Sequence, residues 1–136
     1  MMHSQHKGLE AAGALAALSP QTQARMIEWD AAEVPEALWT ASAFRQIGRA
    51  IASKRSPIAE KDLKRLFAEI ERLLKSPDDE ISNAVATGLL EEVWRAALQS
   101  DFDFSSVDPH LGQGARDHLC RWDDFNKIKT LGLKRR

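Results

Sequence analysis

Four histidines, one cysteine and three groups of neighbouring carboxylates are the side chains of this chain that could carry chemistry. His118 and Cys120 stand two apart, about 200° around a helix, so they cannot chelate one ion together. His3 and His6 fall in an N-terminal stretch, residues 1–8, expected to be mobile, and His110 follows Asp108-Pro109 in a turn with no fixed orienting partner. These spacings make no zinc site. Asp101, Asp103 and Ser105 imitate the opening of a calcium loop. Ser106 and Gly112, however, stand where that loop needs its turning glycine and its bidentate glutamate. Asp78-Asp79-Glu80, Glu91-Glu92 and Asp123-Asp124 are adjacent carboxylates, which diverge by about 100° on a helix and so form no acid–base dyad. Capping accounts for the first group, and a solvated face for most of the others. With no nucleophile elbow and no phosphate-cradling glycine loop, neither an enzyme nor a cofactor is expected.

The elements that would position these residues are helical. There is no tyrosine and no period-two strand pattern, while Ala, Leu, Glu, Arg and Lys dominate. Leu9, Ala12, Ala16 and Leu18 suggest a short first helix, and Ser19-Pro20 is a start signal for the next, about 21–32, carrying Met26, Ile27 and Trp29. Pro35 opens a third, about 36–53, with Ala37, Ala41, Phe44, Ile47, Gly48 and Ile51 on one face. Gly48 there either admits a close helix neighbour or merely weakens its own helix. Leu63, Leu66, Phe67, Ile70, Leu73 and Leu74 form the cleanest stripe, on a helix over 61–75. After a tight Ser76-Pro77 turn, Asp78 or Asp79 caps a helix reaching Leu98, with Ile81, Val85, Leu89 and Val93 in one row. Its wide apolar arc predicts a central helix touched from several sides. Residues 99–114 read as a loop or a short turn of helix, and a last helix, about 115–127, points Leu119, Trp122 and Phe125 inward.

With 136 residues, 43% hydrophobic and 29% charged, the chain is expected to form one all-α domain of five or six helices spanning 1–136. The apolar run from Leu9 to Leu18 is too short to cross a membrane, which takes about 20 residues, and the single cysteine implies no oxidising compartment. A cytoplasmic protein without a membrane partner is expected. The net charge of −1 hides segregation. Residues 78–108 hold eight acids against Arg95 alone, a local −7, whereas 45–75 and the tail 127–136 each carry +5. A basic helical face of Lys54, Arg55, Lys61, Lys64, Arg65 and Arg72 could meet nucleic acid, but the near-neutral total and acidic second half make that binding the weaker expectation. The acidic segment is the better interaction face: Asp78, Asp79 and Glu80 at the helix start, Glu91 and Glu92 along it, and Asp101, Asp103 and Asp108 beyond it. Phe102 and Phe104 either anchor a partner there or close the core beneath the loop.

Two resemblances add to this reading. The hairpin 61–98, with SPDDEISNAVATGLLEEV as its second half, resembles a HEAT-type helical unit, in which an Asp-rich turn precedes a second helix with small and aliphatic packing residues. The wider pattern is ALSPQTQARMIEW, LKRLFAEIERLLKSPDDEISNAVATGLLEEVW and LGQGARDHLCRWDDF. It resembles small bacterial helical proteins associated with immunity to polymorphic toxins. That resemblance implies a non-enzymatic inhibitor that occludes a cognate toxin, with acids standing in for phosphates if the toxin is a nuclease. A helical scaffold or adaptor for another protein is the alternative.

Overall fold

The computed structural model describes residues 4–100 and 102–136, with side chains from Lys7 onward. Asp101 and residues 1–3 lie outside the described residues. The described chain is helical without a strand: α1 (Ser4–Ala16), α2 (Pro20–Glu28), α3 (Trp39–Ile51), α4 (Glu60–Leu74), α5 (Asp79–Asn83), α6 (Glu91–Gln99) and α7 (Gln113–Asn126). Seven α-helical segments therefore stand where five or six were expected. The difference lies in the 76–98 helix, where a π-helical stretch, Ala84–Leu90, separates α5 from α6. There the Glu91 N–H reaches back five residues to the Ala86 carbonyl.

Local signals account for the starts of α2 and α5. Ser19 Oγ accepts from the Thr22 N–H at 3.1 Å, with Pro20 at the first helical position. Asp78, rather than Asp79, caps α5, its Oδ1 accepting from the Glu80 and Ile81 amides at 3.0 and 3.3 Å. The second and third helices are shorter than their patterns predicted. Asp30 accepts from the Ala32 amide, and the chain makes two 3-10 turns, Ala31–Glu33 and Glu36–Leu38, before α3 begins. Ala37 is consequently exposed.

Packing centres on α3 and the π stretch, which share the most extensive contact in the molecule. The π stretch also touches α4 and α7, while α5 touches α1, so the 76–98 region is central as its wide apolar arc predicts. Ile81, Val85, Leu89 and Val93 are all buried, as are Leu63, Leu66, Phe67, Ile70 and Leu73 of α4. Gly48 does admit a close neighbour: a Cβ there would lie 2.6 Å from the Leu89 carbonyl oxygen. Gly88 does the same from the other side, with the Ala41 carbonyl oxygen 2.8 Å from where its Cβ would be.

The face of α7 is not the one its aromatics suggest. Ala115, Arg116, Leu119 and Asp123 are buried, Trp122 is half-buried and Phe125 is 77% exposed. At about 100° per residue, Phe125 lies about 120° around the helix from Leu119, whereas Asp123 lies only about 40° away. Phe125 instead stacks outside on Trp122, ring centroids 5.5 Å apart.

Candidate functional site

The acids expected to form one interaction face are largely engaged within the chain. Asp78 is committed to its cap. Glu91 Oε2 sits 3.0 Å from His118 Nε2, bridging α6 to α7. Glu92 lies between Arg49 and Arg95, at 3.4 and 3.3 Å. Glu80 is half-buried, and Asp79 is exposed. Asp103 is exposed and caps the turn Phe104–Ser106, where the Ser105 hydroxyl and amide hold its carboxyl below the usual range. Phe102 and Phe104 are 9% and 1% exposed, so they close the core beneath the loop and offer no surface anchor. Asp108 is interior as well. The expected face thus loses Phe102, Phe104 and Asp108 to the core, because the 3-10 turns at 104–106 and 108–110 fold this segment inward.

Asp108 belongs to a buried polar lock that the spacing of the sequence does not reveal. Arg116, 4% exposed, donates from one guanidinium nitrogen to Asp108 Oδ1 at 2.7 Å and from the other to the Asp108 carbonyl at 2.8 Å. It also donates to the Lys134 carbonyl at 2.6 Å, and the Lys134 N–H returns to Asp108 Oδ1 at 2.9 Å. Burial pushes the Asp108 carboxyl up, but the Lys134 amide and the Arg116 guanidinium outweigh it and hold the carboxyl below its ordinary value. Asp123 makes a second lock. Its carboxylate accepts from Trp94 Nε1 at 2.6 Å, from the Thr130 amide at 2.9 Å and from the Thr130 hydroxyl at 2.7 Å. The basic tail is thereby pinned at Thr130 and Lys134. Its neighbour Asp124 points outward to Arg135, as the angular divergence of adjacent residues requires.

A third device explains LGQG before α7. Glu71, on α4, accepts from the Gly114 and Ala115 amides at 2.6 and 3.2 Å, capping α7 across the fold. Glycine at 114 leaves room for this, since a Cβ would meet Glu71 Oε1 at 2.6 Å. Glu71→Ala should cost about 1 kcal/mol in urea unfolding, the ordinary price of a lost N-cap. Beside it lies a cleft of about 390 Å³ between α4, the π stretch and α7, with Leu74, Lys75, Thr87, His118 and Arg121 on its walls.

Among the described residues, no three His, Cys, Asp or Glu side chains gather as a metal site. Burial pushes the Cys120 thiol up, away from reactivity. On the basic side, Arg72 pairs with Glu69 and Arg65 lies 4.0 Å from Asp62, so part of that charge is answered within α4 itself. No described helix is long and apolar enough to cross a membrane. Among the described residues, five large apolar side chains remain open: Ile27, Leu38, Leu98, Phe125 and Leu131. Comparison with protein families, with curated proteins and with solved structures gives no match for this chain.

Proposed function

We propose that this chain is a non-enzymatic, cytoplasmic immunity protein that neutralises a cognate toxin domain by occlusion, its helical hairpins stacked in the HEAT manner. The observation that carries the reading is the set of large apolar side chains left exposed on a densely packed frame, Phe125 at 77%, Ile27 at 73% and Leu131 at 93%. Apolar side chains mark a protein-contact surface where they adjoin one another, as Phe125 does on half-buried Trp122, ring centroids 5.5 Å apart. Acids supply steering towards a basic toxin surface, and among the described residues Asp79 and Asp103 are the members of the 78–108 set whose side chains remain exposed. The resemblance of ALSPQTQARMIEW and LGQGARDHLCRWDDF to toxin-immunity proteins supplies the partner class.

Co-expression with the toxin domain encoded beside this chain tests the proposal. Restored growth and a co-purifying stoichiometric complex are expected. A chain that neither rescues growth nor binds that toxin would sink the immunity reading and leave the adaptor role in its place.

A further inference from the structure

The segment joining α2 to α3 carries acids and no base, as 76–94 also does, but none of its carboxylates pairs with a described cation. Between Arg25 and Arg45 there is no lysine or arginine, but there are four acids, Glu28, Asp30, Glu33 and Glu36. All four are exposed, and none forms an ion pair with a described residue. Ile27 and Leu38, 73% and 54% exposed, stand at either end. In the 78–108 stretch, by contrast, Glu91, Glu92 and Asp108 face His118, Arg49 with Arg95, and Arg116.

This segment is also held rigidly. Trp39 Nε1 donates to both the Ala31 and Val34 carbonyls at 2.9 Å, tying the first 3-10 turn to the start of α3. Trp29 Nε1 donates to Ser42 Oγ at 2.9 Å, tying the end of α2 to α3 as well. The Leu38 amide closes the second turn on the Pro35 carbonyl at 2.8 Å. A surface fixed before contact loses little conformational entropy on binding, so its apolar area and charge translate efficiently into affinity.

We infer that Ile27–Leu38 is a docking surface for a basic patch of a protein partner, with Ile27 and Leu38 as apolar anchors and Glu28, Glu33 and Glu36 meeting lysines or arginines. The complementarity is explicit: uncompensated negative charge around exposed aliphatic side chains selects a cationic surface that is itself partly apolar. This deepens the proposed function and rests on it only for the identity of the partner as a toxin.

Two measurements decide it. The first titrates the isotope-labelled chain with a cationic amphipathic peptide of lysine and leucine and follows amide chemical shifts. Perturbations should gather on residues 27–39, and Glu28→Lys/Glu33→Lys/Glu36→Lys should weaken binding by about tenfold or more. Ile27→Ser/Leu38→Ser should weaken it without removing its salt dependence. Because all five side chains are exposed, circular dichroism of the variants should match the parent. Shifts centred elsewhere, or a triple variant that binds as the parent does, would overturn the surface. The second places the same variants in the toxin co-expression. Rescue by the parent but not by the triple variant supports the surface, and rescue by both refutes it while leaving neutralisation intact. If the parent itself fails to rescue, the toxin reading falls and the peptide titration still decides the surface.

Discussion

Gly48→Ala and Gly88→Ala should each destabilise the fold by about 1–3 kcal/mol, read as a lower midpoint in urea with an unchanged slope. On an exposed helix the same replacement is favourable, because alanine loses less backbone entropy than glycine. Here the added methyl would meet backbone. At Gly48 the obstacle is the Leu89 carbonyl oxygen at 2.6 Å, followed by Glu92 Cβ at 3.0 Å. At Gly88 it is the Ala41 carbonyl oxygen at 2.8 Å. Neither carbonyl can rotate away like a side chain, so α3 and the π stretch would have to separate. Fully buried Phe44, Ile47, Val85 and Leu89 lie on these two elements and would lose contact as they part. Gly13 is the internal control. It is also helical, but its Cβ would meet nothing within 4 Å, so Gly13→Ala should stabilise by about 0.5–1 kcal/mol.

Arg116→Met should cost about 3–5 kcal/mol, because it leaves the Asp108 carboxylate buried without its cation. Asp108 is only 2% exposed, so water cannot replace the lost partner. The Lys134 carbonyl would lose its donor in the same step. Acid should expose the same lock in the parent protein. Asp108 titrates below its ordinary value when folded, so its contribution is complete above about pH 4, near the unfolded carboxyl pKa. That contribution declines as pH falls from there through the depressed native pKa. Asp108→Asn keeps most of the shape but removes this titration, so its urea midpoint should be lower at neutral pH and flatter against acid than the parent's. Two midpoints falling in parallel with acid would place the acid sensitivity elsewhere.

Much of the frame was legible because it depends on local chemistry. Ser19-Pro20 and the Asp78 turn are short-range devices, and the α4 stripe is a periodicity that needs no partner to be seen. The π stretch was not legible. It lies where two helices meet backbone to backbone, and a glycine at 48 only hints at the second glycine at 88. Asp123 could have been placed, since it stands four residues after Leu119 and thus on the same face, but its charge argued for solvent. The acidic segment misled for a related reason. Counting charge along 78–108 gives −7, yet Glu92 finds Arg49 43 positions away and Glu91 finds His118 27 positions away. The run at 28–36 forms no ion pair with a described residue, but its four acids are too few to stand out in a count along the chain.

The four indoles make the molecule its own optical probe. With no tyrosine, near-ultraviolet emission comes from tryptophan alone. Trp29 and Trp39 brace the α2–α3 segment, while Trp94 and Trp122 meet edge to face at 6.0 Å between α6 and α7. Trp94 is bonded to the Asp123 carboxylate and 8% exposed, whereas Trp29 and Trp39 are half-buried near the surface. The fluorescence therefore divides into half-buried Trp29 and Trp39, sensitive to whatever settles on the acidic segment, and a shielded Trp94 that reports whether the C-terminal lock is closed. Single Trp→Phe replacements would separate occupancy from integrity in one cuvette.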